Sequence, residues 1–192
     1  MAKITTVYFV RHCLPDSAIA DDRNRPLTAE GLSDAFKVRD VLKDKAVDEF
    51  VSSPYRRSIE SIQRAAEFFH LEIETDERLR ERKAGKDGVN EVLIRKRWSD
   101  FSFAESGGEC IGSVQQRNIA ALKEILERHA GKTVVIGTHG TALSSILNYF
   151  DSSFGAEDFL KIVNFMPWIV EMEFDGENLV SKNDIFHIAK AF

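Results

Sequence analysis

The sequence predicts an α/β fold in which a mainly parallel sheet is flanked by helices on both faces. Two observations support this class. Short apolar, β-branched segments alternate with amphipathic segments, and the last two strand-like segments are joined by Asp175-Gly176, which predicts a C-terminal antiparallel hairpin. A chain of 192 residues with 43% hydrophobic and 30% charged residues is typical of one domain with a full core. We therefore expect residues 1–192 to form a single domain.

Three strands and two helices are predicted in the first part of the chain. The strands cover residues 3–10, 48–52 and 71–75. Thr28 is the predicted N-cap of the first helix, and the second helix begins near Pro54. The order strand, helix, strand favours parallel neighbours in one sheet.

The pattern is weakest from residue 79 to residue 109, where only a short helix around Val92, Leu93 and Trp98 is predicted. We interpret residues 82–110 as a cap-like insertion over the edge of the sheet. Beyond it, the periodicity predicts a helix over 113–128 that stops at Gly131, a central strand over 133–137, a helix over 141–150, and hairpin strands over 168–174 and 179–188.

Composition and charge argue against several classes of function. The net charge of -5 argues against a general nucleic-acid-binding surface. The sequence has neither an apolar run as long as a transmembrane span nor a signal-peptide pattern, so we expect a cytoplasmic protein that does not bind membranes. Cys13 and Cys110 lack the number and spacing of a disulfide framework or a zinc site, and no metal is predicted.

A basic pair, Arg11-His12, directly follows the first predicted strand. At the carboxyl edge of an α/β sheet, where such folds bind ligands, both side chains would meet an anion. Imidazole can act as a nucleophile or as an acid and base, and a guanidinium binds phosphate oxygens. The alternative is a solvated polar pair at the end of a strand.

A second histidine occupies the same kind of position in Thr138-His139-Gly140, between the central strand and a helix. Gly140 allows a close approach of the backbone to a ligand, and the N–H groups of the helix that follows favour negative charge. The alternative is that His139 is a core histidine with a hydrogen-bond partner.

Arginines also stand at the start of the second helix, in Ser52-Ser53-Pro54-Tyr55-Arg56-Arg57. Positive charge in the first turn opposes the helix dipole at a cost of about 0.3 to 1 kcal/mol each. This choice favours a role in binding an anion, although Arg56 is explained equally well as part of a solvated helix face.

Taken in order, these segments resemble the motifs of the histidine phosphatase, or phosphoglycerate mutase-like, superfamily. That family carries Arg-His-Gly, Ser-Ser-Pro-Leu-x-Arg-Ala, Leu-x-Glu, Gly-Gly-Glu-Ser and Ser-His-Gly, and Arg25 to Gly31 fits its first helix. The corresponding segments are Arg11-His12-Cys13, Ser52 to Arg57, Leu79-Arg80-Glu81, Gly107-Gly108-Glu109-Cys110 and Thr138-His139-Gly140. The resemblance covers nearly the whole chain and implies the fold predicted above.

The resemblance implies phosphoryl transfer through a phosphohistidine, without a metal or another cofactor. His12 corresponds to the nucleophile, and Arg11, Arg57 and His139 would surround the transferred phosphoryl group, with Gly140 beside it. Glu81 corresponds to the proton donor, although it lies in a charge run that is also typical of a solvated loop. The implied substrate is a small phosphorylated metabolite.

Four departures from the family pattern bear on the activity. Cys13 replaces a glycine, and Cys110 replaces a serine at a helix N-cap. Residues 14–22 and 85–88 replace two segments typical of phosphoglycerate mutases. We therefore predict a phosphatase, with a phosphoglycerate mutase and a catalytically silent phospholigand-binding module as alternatives.

The two cysteines suggest a further hypothesis. A thiol at Cys13 beside Arg11 would have a lowered pKa, and Cys13 and Cys110 would form an oxidation-sensitive pair if they lie close together. The alternative is two ordinary reduced cysteines.

Overall fold

The computed structural model describes residues 3–88 and 90–191 and confirms the predicted α/β class. Its strands are β1 (Ile4–Arg11), β2 (Glu49–Ser52), β3 (Ile73–Thr75), β4 (Thr133–Thr138), β5 (Phe165–Asp175) and β6 (Asn178–Ala189). Its helices are α1 (Ala29–Leu42), α2 (Arg56–Phe69), α3 (Glu91–Ser99), α4 (Ile111–Arg128), α5 (Gly140–Phe150) and α6 (Ala156–Ile162), with a short 3-10 helix at Glu77–Leu79.

The six strands form one sheet with the order β3-β2-β4-β1-β5-β6. The strands β1 to β4 run parallel to one another, whereas β5 pairs antiparallel with both β1 and β6. This arrangement confirms the parallel sheet and the C-terminal hairpin.

Both faces of the sheet are covered, which explains why residues 7–10 of β1 are all hydrophobic and buried. Val7 and Phe9 pack on the face that carries α4, α5 and α6. Tyr8 and Val10 pack on the opposite face with α1 and α2. Successive side chains of a strand point to opposite faces, so a strand that is buried on both sides has no polar alternation.

Most predicted boundaries are close to the observed ones. The Thr28 hydroxyl accepts the N–H of Gly31 at 3.0 Å, as expected for an N-cap. The sequence prediction missed α6, a helix of seven residues with Glu157 and Asp158 in its first turn. None of the helices in the described ranges is long and apolar enough to cross a membrane.

The register of the central strands places the ends of β1 and β4 side by side. Arg11 is paired with Thr138, and the N–H of His12 continues the ladder to the Thr138 carbonyl at 3.1 Å. On the other side of β4, Ser52 of β2 is paired with Gly137. The residues that follow these three strands therefore share one edge of the sheet.

Candidate active site

His12 and His139 lie together at this edge, with their ring centroids 5.3 Å apart. Both are buried, and His139 is fully inaccessible to solvent. Because each follows a strand with a fixed register, the pairing of the histidines is a direct consequence of the sheet topology.

A backbone hydrogen bond fixes the tautomer of His12. Its Nδ1 lies 2.8 Å from the carbonyl oxygen of Cys13, which can only accept, so Nδ1 carries the proton and Nε2 keeps a lone pair. Burial, and after it the charges of Arg57 and Arg11, hold the pKa of His12 well below its usual value. The ring is therefore uncharged at neutral pH, which is the state in which an imidazole nitrogen is able to attack an electrophile.

The second histidine is held by a hydroxyl. His139 Nε2 lies 2.7 Å from Ser53 Oγ, and its ring packs edge-on against Tyr55 at 5.1 Å. Burial and the charge of Arg57 lower the pKa of His139 well below its usual value. Its Nδ1 is buried without a hydrogen-bond partner among the described residues. Such an atom is costly to leave unpaired and is free to bond a ligand.

Arg11 is anchored by two carbonyls from the segment that ends α6. Its two Nη atoms donate to Ile162 O at 2.6 Å and Val163 O at 2.8 Å, while its buried Nε has no partner in the described part of the chain. Burial, with a further contribution from the charge of Arg57, lowers the pKa of Arg11 to about 10, so the guanidinium stays charged at neutral pH.

Gly140 makes room for this guanidinium. A Cβ atom at residue 140 would lie 3.1 Å from Arg11 Cζ and 3.2 Å from Nη2. The sequence predicts a close approach between the backbone at Gly140 and a ligand. In the structure, the group that approaches this backbone is the guanidinium of Arg11.

Arg57 reaches the same region from the first turn of α2. It is buried, and its Nη1 donates to the backbone carbonyl of Asp22 at 2.5 Å and to a carboxylate oxygen of Asp22 at 3.1 Å. Its guanidinium lies 5.0 Å from the centre of the Tyr55 ring. The neighbouring Arg56 instead forms an exposed helical pair with Glu60.

Glu81 is bound to the N-terminus of α5. Its carboxylate oxygens accept the N–H groups of Thr141 at 3.0 Å, Ala142 at 3.1 Å and Arg82 at 2.7 Å. The backbone around it is clamped by Arg117 of α4, which donates to Arg80 O at 2.6 Å and to Glu81 O at 3.1 Å. Glu81 is thus bonded to Thr141, which follows His139 by two positions in the chain. It is not part of a solvated loop.

Glu109 of the Gly-Gly-Glu segment supports this clamp. Although burial opposes it, hydrogen bonds from Arg117 and Arg80 lower the pKa of Glu109 to about 2. Its carboxylate is thus fully engaged in ion pairs with Arg80 at 2.7 Å and Arg117 at 2.9 Å.

A cleft of about 630 Å³ opens over this edge of the sheet. Its lining includes Glu81 and the direct neighbours of the other site residues, namely Asp22 beside Arg57, Tyr55 and Thr141 beside His139, and Val163 beside Arg11. The histidines themselves lie beneath this lining, in agreement with their burial.

The structure brings together every residue that the sequence singled out for the site: Arg11, His12, Arg57, Glu81, His139 and Gly140. Several supporting contributions were missed, among them Arg117, which looked like an ordinary residue of a helix. The carbonyls of Ile162 and Val163 gave no signal because any residue type supplies them. Asp22 was hidden in a polar loop, where the only indication was its acidic neighbourhood.

The expectation for Cys13 is wrong. Its side chain is fully buried in the apolar cluster below the sheet and does not line the cleft. Burial raises the pKa of this thiol to about 12 instead of lowering it. Both cysteines are free, and Cys110 forms the N-cap position of α4 without a side-chain hydrogen bond to the helix backbone.

Comparison with known proteins finds relatives among phosphatases and phosphoglycerate mutase-like proteins. The chain is 26% identical to an uncharacterized phosphatase, PhoE, of Bacillus subtilis over 149 residues, which are 75% of this chain and 76% of that protein. It is 28% identical to phosphoglycerate mutase-like protein 4 of Arabidopsis thaliana over 177 residues, or 84% of this chain and 76% of that protein.

Solved structures show the same fold. YhfR of Bacillus stearothermophilus is 26% identical with a TM-score of 0.74, covering 92% of this chain and 94% of that one. A mutant phosphoserine phosphatase of Entamoeba histolytica in complex with phosphoserine is 21% identical with a TM-score of 0.76, covering 93% and 96%. The family model of the histidine phosphatase superfamily (branch 1) matches residues 7–185. The chain therefore belongs to the histidine phosphatase superfamily.

Proposed function

We propose that this protein is a metal-independent phosphatase that hydrolyses small phosphate monoesters through a phosphohistidine on His12. One observation carries the proposal: a buried, neutral imidazole lies beside two buried guanidinium groups, with its Nδ1 bonded to a carbonyl and its Nε2 without a hydrogen-bond partner in the described ranges. A neutral nucleophile flanked by fixed positive charge is what attack on a phosphate ester requires.

In the first step, Nε2 of His12 attacks phosphorus, the bond between phosphorus and the ester oxygen breaks, and Glu81 donates a proton to the departing alkoxide. Arg11 and Arg57 stabilise the charge on the equatorial oxygens. The Ser53 hydroxyl donates to Nε2 of His139, so that the His139 Nδ1–H is available to a phosphoryl oxygen.

In the second step, water attacks the phosphohistidine. Glu81, now ionised, takes a proton from the water, the bond between phosphorus and Nε2 breaks, and inorganic phosphate leaves. His12 and Glu81 return to their starting states, so the cycle consumes one ester and one water.

The proposal extends to the surroundings of the site. We infer that residues 82–110 act as a cap-like insertion in a single domain, because several of them line the cleft. The substrate is a small phosphorylated metabolite rather than a nucleic acid or a membrane lipid, and the protein is cytoplasmic, as the sequence predicts.

The test is the His12→Ala variant, with His187→Ala, an exposed histidine on β6, as its matched control. His12→Ala should lose hydrolysis of p-nitrophenyl phosphate and the acid-labile phosphoenzyme, whereas the control should retain both. Normal turnover by His12→Ala, or a phosphoenzyme on another residue, would overturn the proposal. Activity should also persist in EDTA, and a loss that a divalent ion restores would contradict metal independence.

A phosphoglycerate mutase is the second candidate, because one relative carries that description. Assays with 3-phosphoglycerate, with and without 2,3-bisphosphoglycerate, distinguish the two. A mutase would transfer the phosphoryl group within or between these compounds faster than it releases phosphate. Binding of both compounds without any turnover would instead indicate a silent phospholigand-binding module.

A further inference from the structure

Lys190, which follows β6, has a buried side chain that the chemistry proposed above does not use. It is 6% exposed, and its Nζ donates to Asp34 and to Glu30 at the start of α1, at 2.5 Å each. Although burial opposes it, hydrogen bonds to these two carboxylates raise the pKa of Lys190, so the ammonium is charged at neutral pH. A buried ion pair contributes little more to stability than apolar side chains of similar volume, because both charges lose their hydration. Stability alone therefore explains this pair poorly.

The backbone of Lys190 is bonded to the segment that anchors Arg11. The N–H of Lys190 donates to the Asn164 carbonyl at 2.9 Å, and the Asn164 side chain donates back to the Lys190 carbonyl at 3.1 Å. Asn164 directly follows the two residues whose carbonyls accept the Nη atoms of Arg11. The position of these carbonyls therefore depends on where Lys190 holds Asn164.

The first turn of α1 fixes the backbone that orients His12. Thr28 donates to the Leu14 carbonyl with its N–H at 3.0 Å and with its hydroxyl at 3.2 Å. Gly31 packs so closely on the same carbonyl that a Cβ atom would lie 2.3 Å from its oxygen. Leu14 directly follows Cys13, whose carbonyl accepts the Nδ1–H of His12. A shift of α1 would therefore move the acceptor that orients the ring.

Lys190 links these two segments. Its backbone holds Asn164 beside the anchors of Arg11, and its side chain holds Asp34 in the helix that supports the acceptor of His12. Asp34 is 2% exposed, so the link is shielded from solvent ions. Since α6 and α1 lie on opposite faces of the sheet, the link joins the separate supports of two adjacent side chains.

We propose that Lys190 is a positioning residue that sets the place of the Arg11 guanidinium relative to the His12 ring. The inference rests on the proposed function and extends it, because attack on phosphorus requires both groups on one phosphoryl group at the same time. Lys190 does not line the cleft, so it acts through the backbone and not through contact with the substrate.

The first test is the steady-state kinetics of Lys190→Met on p-nitrophenyl phosphate. The kcat should fall by about 10-fold, because small displacements at reacting groups are costly. The KM should change by less than about 3-fold, since each group alone still contacts the bound phosphate. Lys190→Arg, which keeps the ion pair with Asp34, should retain most of kcat. Asp34→Asn keeps the volume and an acceptor for Lys190, so it serves if Lys190→Met does not fold, and it should lower kcat by about 3-fold.

Two controls separate positioning from stability. Lys132→Met removes an exposed ion pair with Glu49 at the opposite edge of the sheet and should behave as the wild type. Ile125→Ala opens a cavity near the C-terminal end of α4, close to that opposite edge, and should lower stability but keep kcat where circular dichroism shows a folded protein. An equal fall of kcat in Ile125→Ala and Lys190→Met would overturn the proposal. So would an unchanged kcat in Lys190→Met.

The tautomer of His12 provides a second readout that needs no turnover. In the wild type, nitrogen NMR shifts of the ring, assigned by comparison with His12→Ala, should report a proton on Nδ1 alone. In Lys190→Met the shifts should move toward a mixture of the two tautomers, because the Cys13 carbonyl is less well fixed. If the wild type hydrolyses no phosphate ester, the proposed function fails, and these shifts alone decide the role of Lys190. Unchanged shifts in Lys190→Met would overturn that role.

Discussion

The two sides of the cleft are built in different ways. At the sheet edge, Arg11, His12 and Glu81 are each held by main-chain groups. In the wall formed by residues 82–110, Arg82 and Arg97 each donate to one main-chain carbonyl but depend in addition on a side chain that they share, Glu105. Main-chain partners survive most substitutions, whereas a side-chain cluster changes with a single one. A single substitution can therefore change the wall more easily than the edge, and a loop-borne wall of this kind is suited to substrate choice.

Removal of the proposed proton donor, Glu81, should reduce hydrolysis more than any other change except removal of the proposed nucleophile, His12. This variant therefore tests the sheet edge directly. In Glu81→Gln, hydrolysis of alkyl phosphates should fall by roughly 10² to 10⁴-fold, because alkoxides leave badly without a proton. With aryl phosphates, the first step should be slowed less, because a nitrophenolate leaves without a proton. Since the base that activates water is also missing, p-nitrophenyl phosphate should give a pre-steady-state burst of nitrophenol.

The control for this variant is Glu91→Gln, an exposed carboxylate on the wall helix α3. It should leave both substrates unaffected. Equal losses on alkyl and aryl substrates in Glu81→Gln, without a burst, would show that Glu81 is structural and that the donor lies elsewhere.

Gly140→Ala tests whether the edge depends on close packing around Arg11. The added Cβ would meet a guanidinium that two carbonyls hold in place, so the charge must shift. We expect kcat/KM to fall by roughly 10- to 100-fold, as for a displacement of about 1 Å at a reacting group. Gly155→Ala, where the nearest atom is 3.9 Å away, is the control and should keep its activity. Similar kinetics for the two variants would contradict the packing argument.

The buried histidines should make the edge sensitive to acid. Burial and neighbouring arginines keep the pKa values of His12 and His139 low in the folded state. In the unfolded chain both rings take up protons below about pH 6.5. The unfolded state then binds more protons, so the free energy of unfolding should decrease as the pH falls, by up to about 1.4 kcal/mol per pH unit for each histidine.

Urea unfolding at several pH values between about pH 5 and pH 8 measures this dependence. His12→Ala removes one of the two rings and should reduce the slope below about pH 6.5. An identical slope in His12→Ala and in the wild type would mean that His12 is not kept neutral by the fold.

The smallest expected effect concerns the two cysteines. Cys13 lies on the side of the sheet edge, and Cys110 belongs to the wall. Cys13 is buried behind the edge with its pKa raised to about 12, and hydrogen bonding to Ser113 lowers the pKa of the partly exposed Cys110. Iodoacetamide should therefore label Cys110 first and leave kcat/KM unchanged. Mass spectrometry of the labelled protein shows which cysteine reacts first, and Cys110→Ser is the control. Labelling of Cys13 before Cys110 would contradict this order.

The sequence predicted the edge better than the wall, for physical reasons. His12 and His139 follow strands that are apolar on both faces, and this local signal fixes where each strand ends. The carbonyl partners of Arg11 lie 151 and 152 residues away, and such pairing has no local pattern. The orientation of Cys13 was misjudged because the alternation of side chains no longer applies beyond the end of β1.

The wall gave only a charge run and a weak helical pattern. Arg82 and Arg97 look like ordinary solvated residues in the sequence, and only the folded chain brings Glu105 between them. Helix α6 was missed for a related reason: seven residues provide too few turns for a clear amphipathic period.

The hydrogen bond from His12 to the Cys13 carbonyl has an evolutionary consequence. The acceptor that orients the attacking ring is present whatever residue stands at position 13, and the side chain there points into the core. A substitution at position 13 therefore has to fit the volume and the apolar surroundings of the Cys13 side chain, whereas the reactivity of the thiol plays no part. A small apolar residue can replace the glycine of the family motif while the hydrogen bond that orients His12 is kept, so departure from the motif at this position is a poor criterion for declaring a homologue inactive.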